Sequence, residues 1–122
     1  MARYVDGFVI PVPKKRLDAY RRISQKAGRV WKKYGALEYM ECAGDDLKIK
    51  MGMGKSFPSM VKPKAGEVIV FSWIVYKSRA HRDRVNAKVM KDPGMAEAMK
   101  ADAMPFDMKR MSYGGFRVIV DM

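Results

Sequence analysis

Five residues of this sequence combine acid, base and donor chemistry with apolar surroundings: Asp6, Glu41, Asp107, Arg110 and Tyr113. Asp6 and Glu41 stand inside runs rich in aromatic and aliphatic residues, and the other three follow Met104-Pro105-Phe106. A polar group taken out of water needs a partner. A carboxylate in such a place can serve as a general base, with an Arg or Tyr steadying an oxyanion. The same residues need no substrate if Asp107 or Glu41 pairs with Arg110, because ion-pair networks bury charge as readily as active sites do. That structural account is the simpler one. His81 is the only histidine, and its neighbours Ala80, Arg82 and Asp83 describe a wet helix face; Trp73 lies in an apolar run, where packing is its simplest role. Catalytic residues are therefore not assigned, and the seven positions Asp6, Glu41, Trp73, His81, Asp107, Arg110 and Tyr113 form the candidate pocket set.

Other chemistries are excluded by composition. Cys42 is the only cysteine, so no disulfide can form within the chain and no Cys cluster can hold zinc or an iron–sulfur centre. Gly52-Met53-Gly54-Lys55-Ser56 has the tail of a phosphate-binding loop without its leading glycine. The twelve methionines include Met95 and Met99 at helical spacing, which describes adaptable core filling better than capture of a soft metal. No metal and no cofactor are expected.

The chain carries 25 Lys and Arg against 13 Asp and Glu, a net charge of +12 whose field attracts nucleic acid or any acidic partner. Lys15, Arg22, Lys26, Arg29 and Lys33, joined by Lys48, Lys50, Lys55, Lys62 and Lys64, could follow a phosphate backbone while Tyr34 or Phe57 stacks on bases. No motif of a DNA- or RNA-binding module accompanies them, so nucleic acid is a weakly supported partner and a solvated basic surface is the simpler reading. The longest apolar stretch, residues 68–76, is far short of the ~20 residues of a membrane span. Residues 1–7 do not describe a signal peptide. A cytoplasmic location with no membrane partner is expected.

These residues must be positioned by local elements. Residues 4–10 are rich in aromatic and β-branched types and are closed by Pro11 and Pro13, as in a strand. From residue 14 to 34 apolar residues recur every three or four positions with basic residues opposite, which predicts a long amphipathic helix ended by Gly35. Residues 36–43 predict a second strand, and residues 47–66, with no sustained period, a long mobile connection. Residues 67–76 are the strongest strand signal. Ser78 and Asp92-Pro93 are start signals for helices reaching about residues 91 and 101, and residues 113–120 close the chain as a fourth strand.

The order βαββαβ predicts an α+β, ferredoxin-like fold with an antiparallel four-stranded sheet in one domain spanning residues 1–122. Two helices cover one sheet face only. Strand three nevertheless offers Val68, Val70, Ile74 and Tyr76 on one side and Ile69, Phe71, Trp73 and Val75 on the other. An apolar face of that extent predicts a homodimer through the sheet face, closing an apolar barrel.

Tyr-Val-Asp-Gly-Phe (4–8), Glu-Cys-Ala-Gly-Asp-Asp (41–46), Phe-Ser-Trp (71–73), Lys-Ser-Arg-Ala (77–80) and the segment 104–116 resemble, in order and spacing, the uncharacterised YbaA-like family. The resemblance implies a dimeric α+β barrel, related in architecture to small barrel monooxygenases, and no assigned reaction. Through that architecture Asp6, Trp73 and His81 acquire a second meaning, since haem-degrading barrel enzymes place a polar residue, a Trp and an axial His on comparable elements. The function expected is binding of a small apolar or aromatic ligand in the barrel. The alternatives are a monooxygenase, cofactor-free or haem-dependent, and a basic nucleic-acid-associated accessory protein.

Overall fold

The computed structural model describes residues 2–50, 52–100 and 104–122. In chain order the elements are β1 (Tyr4–Pro13), a 3-10 turn (Lys14–Arg16) running into α1 (Leu17–Lys33), β2 (Glu38–Ala43), α2 (Phe57–Val61), β3 (Glu67–Tyr76), α3 (Arg79–Met90), α4 (Pro93–Ala98), a second 3-10 turn (Met108–Arg110) and β4 (Ser112–Arg117). The strands form one antiparallel sheet in the order β2-β3-β1-β4. This is the expected ferredoxin-like arrangement.

The local signals act as their chemistry requires. Gly35 takes φ 114° after α1, a conformation that a side chain would strain. Ser78 Oγ accepts the His81 N–H at the start of α3, and Asp92 Oδ1 accepts those of Gly94 and Met95 at the start of α4. Three elements depart from the expectation. β1 continues through Pro11 and Pro13 because the N–H groups that proline lacks would face β4, whose pairing ends at Val9↔Ser112. The connection after Asp46 contains α2, started by Ser56 Oγ accepting the Ser59 N–H and by Pro58 in the first turn. β4 stops at Arg117, leaving Ile119 and Val120 exposed.

Register assigns every strand residue to a face. Tyr4, Asp6, Phe8, Ile10 and Val12 share one face with Val68, Val70, Ser72, Ile74 and Tyr76, and with Tyr39, Glu41 and Ala43. The helices α1, α3 and α4 cover this face in two clusters. Tyr4, Ala27, Ile74, Tyr76, Val85, Val89 and Met95 fill one end, and Ile10, Val12, Tyr20 and Val70 fill the other. The opposite face carries Val5, Val9, Met40, Cys42, Phe71, Trp73 and Phe116. There α2 reaches β1 and β3 and sets Phe57 beside Phe71, while Met40, Phe71 and Phe116 stay 45–63% exposed. Among the described residues no helix is long and apolar enough to cross a membrane.

Candidate functional site

Tyr20, Ser24 and Gly28 follow one another at four-residue intervals along α1, while Tyr39, Glu41 and Ala43 alternate along β2 toward the same side. The two rows meet at a carboxylate. Tyr20 Oη donates to Glu41 Oε1 at 2.7 Å and Tyr39 Oη donates to Glu41 Oε2 at 2.8 Å. Gly28 allows this approach, since a Cβ there would lie 2.8 Å from the Tyr39 ring. Burial pushes both tyrosine hydroxyls well above their ordinary range, and the adjacent Glu41 charge pushes them further. Each hydroxyl spends its proton on the carboxylate. The cluster therefore shows an incoming molecule oxygen lone pairs and no free phenolic donor.

Two spaces meet at this cluster. An open groove of about 690 Å³ runs between α1 and the edge strand β2, floored by Leu17, Gly28, Tyr39, Ala43 and Val70 and rimmed by Arg21, Arg29 and Lys32. Behind it, between the two core clusters, an inner chamber of about 140 Å³ lies under α1. Phe8, Ile23, Ala27, Trp31, Ser72 and Ile74 line it, and Met99, Met104, Phe106, Met108 and Met111 close one side. Tyr20, Ser24, Tyr39 and Glu41 line both spaces and form the wall between them. Methionines suit such a boundary because their unbranched chains adapt to irregular volumes.

Of the remaining predicted residues only Trp73 shares a space with Glu41, as one of the residues lining the inner chamber. Asp6 is buried on the helix face, where Arg82 Nε stands 3.4 Å from Asp6 Oδ1. Arg82 also lies over the Tyr4 ring, 4.8 Å from its centroid, and donates to Tyr4 Oη at 3.2 Å. Beside them Asn86 Oδ1 accepts from Trp31 Nε1 at 3.0 Å and from Tyr76 Oη at 3.1 Å, tying α1, β3 and α3 together. Burial and then Asp6 raise the Tyr76 hydroxyl above its ordinary value. His81 accepts the Lys77 N–H on Nδ1 at 3.0 Å, and its Nε2 lies 3.2 Å from where a Cβ on Gly35 would stand. Burial first, then the charges of Lys77, Arg84 and Lys88, hold this imidazole below its ordinary pKa. Trp73 projects from the other sheet face and donates to Glu38 Oε1 at 3.1 Å. Asp6 and Trp73 thus point to opposite sides of the sheet, and the haem-type set is not assembled.

At the far end of β3, Arg110 makes a two-pronged pair with Glu67, at 2.6 and 2.9 Å. The expected partners Asp107 and Glu41 are both engaged elsewhere: Asp107 Oδ1 accepts the Lys109 N–H that starts the 3-10 turn, and Glu41 holds the tyrosines. Arg110 also draws Glu67 below the usual carboxylate range. Tyr113 is largely exposed and stacks on Phe8 at 5.9 Å. Of the expected set only Glu41 lies at the groove. Of the tyrosines that complete the cluster, Tyr20 was legible in the apolar stripe of α1, and the one further signal was the hydroxyl-bearing pair Tyr20 and Ser24 followed by Gly28 at four-residue spacing.

Among the described residues no group of three or more His, Cys, Asp or Glu is arranged to hold a metal ion. Comparison with solved structures places the fold among known ones. A dimeric ferredoxin-like protein from an uncultured marine organism matches over 100% of both chains with TM-score 0.62 and 11% identity. SnoaB, a cofactor-independent oxygenase from Streptomyces nogalater, matches over 100% of this chain and 98% of its own with TM-score 0.56 and 12% identity. In sequence, the uncharacterized protein YbaA of Escherichia coli K12 is 46% identical over 119 residues, 98% of each chain. The model of the family described as a protein of unknown function (DUF1428) matches residues 3–108, and the chain belongs to that family.

Proposed function

We propose that this protein is a homodimer whose protomers each bind a small apolar or aromatic molecule in the groove between α1 and β2, against the Glu41–Tyr20–Tyr39 cluster. The observation that carries the reading is a carboxylate accepting two tyrosine hydroxyls at the floor of a largely apolar groove. Ligand sites have this constitution: an apolar wall and a few convergent polar groups, in a volume of some hundreds of Å³. From the sequence, the ligand is expected in the apolar barrel between sheets. The groove and the chamber behind it lie on the helix side, and the other face, although α2 packs on part of it, keeps Met40, Phe71 and Phe116 exposed for a second copy.

The dimer reading draws on the exposed Met40, Phe71 and Phe116 around Trp73, a contiguous apolar face beyond the scattered apolar residues of an ordinary surface. A solved neighbour of the same fold is described as dimeric. Phe71→Glu would set a charge in the middle of that face. Light scattering is expected to give a dimer mass for the native chain and a monomer mass for the variant; a native monomer at micromolar concentration rejects this part of the proposal. For the groove, titration of 2-naphthol against the full chain is expected to give saturable binding that Gly28→Leu, which fills the floor, abolishes. Binding that survives Gly28→Leu rejects the groove as the site.

A second reading, cofactor-free oxygenation, draws on SnoaB and on a carboxylate placed to accept a proton from a hydroxylated ligand. Oxygen uptake that depends on such a ligand and is lost in Glu41→Gln would support it. No uptake with any ligand that the groove binds would remove it.

A further inference from the structure

The groove's chemistry is uneven, and the unevenness specifies a ligand. Arg21 and Arg29 stand on one side of α1 with Gln25 between them, on the rim above the apolar floor. Neither is committed to a strong partner: Arg21 has Asp18 at 3.9 Å, and Arg29 makes no ion pair among the described residues. Lys32 is different, because its Nζ donates to the Leu37 carbonyl at 2.9 Å and so holds its charge over the turn at one end of the groove. The one carboxylate in the groove, Glu41, is at its floor and engaged by both tyrosines. The rim is therefore cationic, the walls are apolar and, apart from the Ser24 hydroxyl, the floor presents acceptors.

A ligand complementary to all three layers carries an anion at one end, a flat apolar body and a hydroxyl donor at the other. We infer that the groove selects hydroxylated aromatic acids, with the acid group on Arg21 and Arg29, the ring system against Gly28, Tyr39 and Val70, and the hydroxyl donating to the Glu41–tyrosine cluster. This inference rests on the reading of the groove as the ligand site and adds to it the charge and the donor. Guanidinium groups suit the role, since they meet a carboxylate with two parallel hydrogen bonds. Neither a neutral phenol nor an acid without a hydroxyl satisfies both ends.

Three probes separate the layers: 6-hydroxy-2-naphthoate, 2-naphthoate and 2-naphthol, each titrated into the full chain by calorimetry. The hydroxy acid is expected to bind about tenfold more tightly than either of the others, the scale of one charge-assisted contact at a partly wet rim. Raising the salt concentration is expected to weaken the two acids and leave 2-naphthol unchanged. Arg21→Gln with Arg29→Gln is expected to erase the preference of hydroxynaphthoate over 2-naphthol without altering binding of 2-naphthol itself. Equal affinities for hydroxynaphthoate and 2-naphthol would overturn the inference while leaving the groove as a site for apolar molecules. Failure of all three probes to bind would overturn both.

Discussion

Replacing Glu41 by Gln tests whether the carboxylate organises the groove. The side chain keeps its size and loses its charge, so one tyrosine can still donate to the amide oxygen while the other meets an NH₂ group that has no lone pair to accept its proton. A hydrogen bond to a charged group contributes about 1.5–3 kcal/mol net. Losing one of the two and weakening the other is expected to cost about 2–3 kcal/mol. At about 4 °C per kcal/mol for a chain of this size, the midpoint of thermal unfolding should fall by about 8–12 °C at pH 7.5, compared at one fixed protein concentration. A second readout is specific to the tyrosines. Their folded pKa values are raised above the unfolded value of 10.0, so the stability they contribute is complete below pH 10 and is lost as the pH rises further, because the unfolded chain releases those protons first. Glu41→Gln removes the Coulombic part of that elevation and leaves the burial part. Ultraviolet titration should then show Tyr20 and Tyr39 ionising at lower pH than in the native chain. An unfolding midpoint within about 2 °C of native together with an unchanged tyrosine titration would refute the assignment of Glu41 as the anchor.

Two further substitutions probe the scaffold. Gly28→Ala should destabilise the protein by about 1–2 kcal/mol in denaturant unfolding, because displacing the Tyr39 ring outweighs the gain of about 1 kcal/mol that alanine normally brings to a helix interior; a stabilised variant would mean that Tyr39 does not pack on that turn. His81 has a folded pKa below its unfolded value of ~6.5, so its neutral form supports the fold above that pH and the support is lost as the pH falls through the folded pKa. Thermal midpoints of the native chain and His81→Asn, measured from pH 7.5 to 5, should converge or cross as the pH falls. A gap that widens toward pH 5 would show that the imidazole gains a proton partner on folding instead of losing hydration.

The sequence by itself determined the elements and their order, for reasons that are local. Strand β3 needed no tertiary information, since residues 67–76 are apolar at both parities; nor did the starts of α3 and α4, where Ser78 and Asp92 close backbone N–H groups with their own side chains. Periodicity also told which side of α1 is buried, and the two apolar faces of β3 told that one must lie outside the helices. Tertiary structure decided everything that depends on which residues meet across the sheet. Arg110 takes Glu67, 43 positions away, in place of the nearer Asp107, because β1 and β3 run antiparallel and the 104–111 segment returns to the end of β3 where Glu67 stands. Pro11 and Pro13 read as the end of a strand until the pairing showed that their missing N–H groups lie beyond the last residue paired with β4. Tyr20 belongs to the apolar stripe of α1 and Tyr39 to the alternation of β2, and it is the packing of α1 on β2 through Gly28 that turns their hydroxyls onto Glu41. Spacing along a chain fixes a face, but a site built from two faces needs the angle and distance at which they meet, and only packing supplies those.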